Sequence, residues 1–291
     1  MPALSRASIA SALMLLALLL GACFGPGKPL SGKLSGDIHW RGRVVIDGDL
    51  VLAEGSRLLI APGTEVLFLP PGPGRDRWTE HPNFVGSELI VRGELLAEGT
   101  ATAPIVFRHA DPVAAPGSWG GINFEPDSRA RFAFCRFTQA DSAVHSQEAR
   151  VSIKQSLFEK NLVGIRFYSS AMGIENNLLR DNGTAIRFHF GAPTIRGNDI
   201  RDNQRAFFIT AFPQDYRIEG NSIIASSDYA VVLGEEVPND VMMPGNYWAG
   251  KHLGSSDVPF YDGQMSGYLG RVRIEPRLDA PPPNVGISWN R

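Results

Sequence analysis

The chain has 291 residues, with 28 Lys and Arg against 30 Asp and Glu, for a formal charge of −2. That balance excludes a partner held by phosphate neutralisation, because nucleic-acid binders are strongly basic. The 31 Gly and 21 Pro fit one large, turn-dense core, and no P-loop, dinucleotide fingerprint, Gly-x-Ser-x-Gly elbow or helical zinc-ligand pair is present.

Residues 1–22 read as a signal peptide. Arg6 gives the positive start, residues 9–20 form an apolar run, and Leu20-Gly21-Ala22 places small residues before Cys23. A transmembrane helix needs about 20 apolar residues, so this run is too short. Leu20-Gly21-Ala22-Cys23 resembles a bacterial lipobox, which implies cleavage before Cys23 and its acylation; Phe24 after the Cys implies the outer membrane. Residues 23–39 then read as a lipidated tether, each buried acyl CH₂ contributing about 0.8 kcal/mol to attachment. The alternative is an ordinary signal peptide that contains a Cys.

Residues 40–250 read as a β array. Val44-Val45-Ile46, Leu50-Val51-Leu52, Leu58-Leu59-Ile60 and Val66-Leu67-Phe68 are short apolar segments parted by turns such as Asp47-Gly48 and Pro62-Gly63-Thr64. Two excursions interrupt them. Residues 70–86 are Pro/Gly-rich and charged, with Trp78, His81 and Phe84; residues 110–118 form a second loop. Loops of this length in a tight array are either functional elements or disordered surface.

From residue 144 the pattern becomes periodic. Val144, Ile165, Ile186 and Phe207 form one column at steps of 21. Ile153, Ile174, Ile195 and Ile218 form a second; Phe137, Phe158, Leu179, Ile200 and Ile223 form a third. Each repeat holds three short segments of period-2 alternation, so these are strands. Three strands and three turns close a triangular coil, and the next stacks on it in parallel about 4.8 Å away. Like residues then superpose: Ser156, Asn177, Asn198, Asn221 and Asn246 form one polar ladder, and Asn161, Asn182 and Asn203 a second, each amide satisfied by its neighbours. Cys135 falls one coil before Ser156, which predicts an inward, unpaired thiol. The fold class is all-β, a single-stranded parallel β-helix. Residues 251–291 read as a cap and Pro-rich tail, with Tyr247-Trp248 covering the last rung.

The recurrent Gly-Ile-x-Phe and Ile-x-x-Asn-x-Ile-x-x-Asn pattern resembles the right-handed β-helix repeats of the pectate-lyase-like superfamily. Asn246-Tyr247-Trp248 followed by Gly270-Arg271-Val272 resembles the closing segment of its NosD-like, carbohydrate-binding and sugar-hydrolysis members. Residues 99–107 and 119–124 resemble first coils of its bacterial surface or periplasmic members. The resemblance implies the fold and leaves activity open, because lyases, hydrolases, epimerases and non-catalytic members share the scaffold. No cofactor is expected unless the protein is a lyase, for which the resemblance implies Ca²⁺ held by carboxylates beside an Arg or Lys base.

Function therefore rests on outward residues. Lys154, Glu175, Arg196 and Glu219 alternate in sign down the stack and read as a structural ladder worth roughly 0.2–1 kcal/mol per pair. Arg180-Asp181 and Arg201-Asp202 read as self-neutralising turns. The first strand of each coil differs. His145, Arg166 and Arg187 form one outward column, Gln147, Tyr168 and His189 the next, with nothing acidic at matching height. Two guanidiniums at rung spacing repel by about 1–3 kcal/mol unless they splay or share an anion. The expectation is a groove for polysaccharide, possibly acidic glycan, at His145, Arg166, Arg187, Tyr168, His189 and Glu125. The simpler alternative is Arg side chains splayed into solvent. A lyase or hydrolase acting on uronic-acid polymers is a second reading, for which Glu125, Asp127 and Asp111 are the available carboxylates. A third is an assembly scaffold that presents loop 70–86 to an envelope protein.

Overall fold

The alternating segments wind into a β-solenoid of about ten turns, seen in a computed structural model that describes residues 28–224, 226–250 and 258–289. Each regular coil has three sides. In one coil, side A is strand Val163–Tyr168, side B is Ala171–Glu175 and side C is Leu178–Arg180. Every strand pairs in parallel with its equivalents. Ile165 lies between Val144 and Ile186, Ile174 between Ile153 and Ile195, and Leu179 between Phe158 and Ile200. The columns spaced by 21 residues are thus the stacked core positions, all buried. Aromatic residues stack in the same way: Phe107, Phe137 and Phe158 at 4.9 and 4.5 Å, and Phe167 on Phe188 at 4.9 Å.

The inward asparagines form the expected ladders. Oδ1 of Asn198, Asn221 and Asn246 each accepts both the backbone N–H and the Nδ2–H of the asparagine one coil earlier, at 2.9 Å. Asn161, Asn182 and Asn203 repeat this at 3.0–3.1 Å. Cys135 is buried and free, its Sγ directed at the carbonyl of Ala97. Burial pushes its thiol well up.

Corners turn on single residues of positive φ. Between sides C and A these are Gln139, Lys160, Asp181 and Asp202 in successive coils, with φ of 55–70°. None is glycine, so each carries a conformational cost that the surrounding hydrogen bonds offset.

The two ends differ from the sequence expectation. Strands begin at Leu30–Leu34 and Asp37–Trp40, inside the stretch assigned to the tether, and pair with Arg43–Leu52 and Arg57–Ile60. Half-buried Leu30, Leu34 and Ile38 pack on the core there. Tyr247–Ala249 is a rung rather than a cover, paired to Ser222–Ile224, and Phe260–Tyr261 pairs beyond Val231 and Val232. The Pro-rich segment runs back along the solenoid. Leu278 bridges to Tyr247, Gly286 N–H donates to the Gly197 carbonyl at 2.8 Å, and the Trp289 indole donates to the Gln155 carbonyl at 2.6 Å. Ile287 and Trp289 cover Leu157, Leu178 and Phe134. Leu157 and Leu178 are paired in register, and the tail keeps them from water.

Candidate functional site

Outward residues on side A form readable columns because the pairing keeps register. One column runs Val51, Ile90, Asn123, His145, Arg166, Arg187, Phe208 and Val232. Beside it stand Gln147, Tyr168 and His189. Between the two columns lies a cleft of about 310 Å³ lined by His81, His145, Arg166, Tyr168, Arg187 and His189. Five of the six residues expected from the sequence come together here. Glu125 does not. It is held by Arg92, whose Nε and Nη2 donate to its two oxygens at 2.7 and 3.2 Å. Asp127 occupies a corner at φ 64°, and Asp111 accepts the Val113 N–H within its own loop.

Loop 70–86 is a strap packed on side A rather than a presented arm. The Asp47 carboxylate accepts the Gly72 N–H at 2.8 Å and pairs with Arg75. Asp49 Oδ2 accepts Arg77 N–H and Trp78 N–H at 2.5 and 3.2 Å. Glu88 Oε1 accepts Phe84 N–H at 2.9 Å, and Asp76 Oδ2 accepts Gly86 N–H at 3.0 Å. The second oxygens of Asp49, Asp76 and Glu88 are buried without a hydrogen-bond partner among the described residues. Burial, together with the charges of Asp49 and Asp76, pushes Glu88 up to about 9, so it is a neutral acid at pH 7.

The strap explains why His145 differs from the expected exposed residue. It is 2% exposed, with the Phe84 ring against its edge at 5.2 Å and His81 at 6.2 Å. Its Nδ1 meets Asn123 Oδ1 at 2.8 Å, and Asn123 Nδ2 donates to Glu88 Oε1 at 2.9 Å. A polar chain Glu88–Asn123–His145 therefore runs through successive coils beneath the strap. Burial first, then the Arg166 charge, pushes His145 down to about 3, so its ring is neutral. Glu88 carries no periodic mark and His81 reads only as one residue of a charged loop, because their roles arise from that loop folding back on the array.

Arg166 and Arg187 sit at neighbouring rungs, both half-buried. Burial, then Arg187, pushes Arg166 down to about 10; burial, then Arg205, lowers Arg187. Each guanidinium rests on an aromatic ring, Arg166 on Phe84 at 5.3 Å and Arg187 on Phe208 at 4.8 Å. The expectation of no acid nearby is corrected in two places. Asp141 acts on both guanidiniums electrostatically, its own carboxyl raised by burial, and Glu236 approaches His189 Nε2 at 3.5 Å. Both lie off the column, which is why counting along it missed them. Neither Arg166 nor Arg187 has an ion pair within 4 Å among the described residues. On the flank, Tyr168 stacks on His189 at 5.4 Å and Phe190 meets His189 edge-on at 4.5 Å.

Elsewhere charge is spent internally. Glu175 joins Lys154 at 2.7 Å and Arg196 at 2.9 Å as expected, whereas Glu219, the ladder's expected fourth member, pairs with Arg217 at 3.5 Å. Arg180 pairs chiefly with Glu159, at 2.8 Å, and Arg201 with Asp199, at 3.4 Å, rather than with the following aspartates. The larger hollow beside this ladder, about 780 Å³, is lined by those paired charges and the tail. Among the described residues no group of three or more His, Cys, Asp or Glu is placed to hold a metal ion. The Ca²⁺ that the resemblance attaches to a lyase therefore has no ligand set there.

Residues 115–241, which carry most of the cleft, match the family model for the right-handed β-helix region. Fold and match together define a right-handed parallel β-helix protein, an architecture that fits the pectate-lyase-like superfamily. No curated protein and no solved structure matches the chain.

Proposed function

We propose that this protein binds acidic glycans through the side A cleft, as a non-catalytic lipoprotein exported to the bacterial outer membrane. The anchoring residue, Cys23, lies outside the described residues, and that part of the reading rests on the lipobox-like sequence alone.

One observation carries the binding role: among the described residues, two adjacent half-buried guanidiniums share a single half-buried carboxylate, Asp141, and have no ion pair of their own. Holding two like charges partly out of water is costly unless an anion joins them. A sugar carboxylate meets the planar fork of an arginine with two parallel hydrogen bonds. The stacked Tyr168 and His189 offer a flat flank for the ring that bears it. In a pull-down with polygalacturonate, the wild type is retained and the Arg166→Ala/Arg187→Ala variant is not. Equal retention of the two would remove this reading.

A further inference from the structure

We propose that the cleft takes the end of an acidic glycan chain and not a stretch of its interior; this rests on the acidic-glycan reading above. The argument comes from what covers side A on either side of the two arginines. Val51, Ile90, Asn123 and His145 all belong to the outward column, yet they are 5%, 1%, 0% and 2% exposed. A solenoid face that carried a long polymer would leave such positions open. Here the strap meets Asn123 and His145 through Asn83, His81 and Phe84, and its fastenings at Asp47, Asp49 and Glu88 lie on the two strands that carry Val51 and Ile90.

The roof stops at a definite place. Phe84 touches His145 and also lies beneath the Arg166 guanidinium, while His81 closes on His145 from the cleft side. A chain aligned with the solenoid axis therefore meets a wall one rung, about 4.8 Å, before Arg166. Tyr168, His189 and Phe190 pack together and close the flank. In the other direction the column is less covered: Phe208, Val232 and Tyr261 are half-buried, against the buried Val51, Ile90, Asn123 and His145. The groove is thus blind at His145 and open past Arg187. Its volume of about 310 Å³ lies at the small end for ligand sites and suits about one or two sugar rings. The terminal uronate sits on the arginines, and the following sugars leave over Phe208 and Val232.

The test uses the full chain in detergent and galacturonate oligomers of defined length, titrated calorimetrically. Affinity per molecule is expected to level off by the trisaccharide, with one protein bound per chain however long the chain is. Polygalacturonate shortened by limited acid hydrolysis should bind more protein per gram, in proportion to the new ends. Several proteins bound per long chain, or a capacity per gram unchanged by shortening, would overturn end recognition while leaving acidic-glycan binding intact. The same length dependence surviving in Arg166→Ala/Arg187→Ala would place end recognition elsewhere and also overturn the proposal. No binding of any galacturonate would remove the acidic-glycan reading and this inference with it.

Discussion

The Arg166 guanidinium lies over the Phe84 ring, its carbon 5.3 Å from the ring centroid. A residue of the strap and a residue of the cleft thereby hold one another, and the same ring covers His145. Phe84→Ala removes both contacts. It is expected to lower the unfolding free energy by about 1–2 kcal/mol, the sum of a cation–π contact and partial loss of apolar burial. Urea denaturation gives the energy. Faster amide exchange across strand Ala140–Gln147 would show that the roof has loosened; unchanged exchange would show that Phe84 does not hold it.

Glu88 and His145 give opposite pH dependences. Glu88 is raised to about 9 from its ordinary 4.5, so the folded state keeps a proton that the unfolded state has lost. Its contribution is complete below about 4.5 and declines as pH rises towards 9, by at most about 1.4 kcal/mol per pH unit. His145 is lowered to about 3 from 6.5, so the unfolded state takes up a proton first and stability declines as pH falls from 6.5 towards 3. Between about 4.5 and 6.5 the two slopes cancel. Glu88→Gln should therefore flatten the alkaline fall in stability between pH 7 and 9, expose the His145 decline between about 6.5 and 4.5, and leave the slope below about 4.5 as it was. Parallel wild-type and variant curves over that alkaline range would refute the assignment.

Asn198 occupies the middle of the longer ladder. Asn198→Ala leaves the Asn177 N–H and Nδ2–H without their acceptor and the Ile174 carbonyl without its donor. Unsatisfied buried groups cost about 1–3 kcal/mol each, relieved in part by relaxation, so a loss of about 2–4 kcal/mol is expected. Asn176, next to this ladder but exposed at a corner, should tolerate substitution by Gly with a change under about 1 kcal/mol. Equal effects at the two positions, compared by denaturant midpoint, would contradict the ladder.

The docked tail makes its own prediction. Trp289→Ala removes an indole hydrogen bond to Gln155 and the cover over Leu157 and Leu178. A loss of about 1–3 kcal/mol is expected, with residues 279–289 becoming sensitive to protease before the solenoid is cut. Proteolysis of the tail at the same rate in wild type and variant would show that Trp289 does not fasten it.

What could be read from the residues follows from what repeats. Columns of Ile, Phe and Asn at a constant step define coil, register and inward face, because stacking makes each position see its own kind. The same counting placed Arg166, Arg187, Tyr168 and His189 on one face. It failed where the chain leaves the repeat. The strap touches His145 from outside the period, so neither the burial of that histidine nor the neutral Glu88 beneath Phe84 leaves a periodic trace. Glu125 was counted to side A by its position after Phe124, but it follows the strand and turns to Arg92. The corners were equally hidden. Lys160 and Asp181 adopt positive φ without being glycine, and the tail's Ile287 and Trp289 find Leu157 and Leu178 by an outward apolar match that carries no spacing rule.

The central claim is that Arg166 and Arg187 together receive a sugar carboxylate. The most direct measurement is a crystal structure of the protein soaked with trigalacturonate. The terminal carboxylate is expected within hydrogen-bond reach of both guanidiniums, with the chain leading away over Phe208. Trigalacturonate bound elsewhere, or an empty cleft at saturating concentration, would contradict the account.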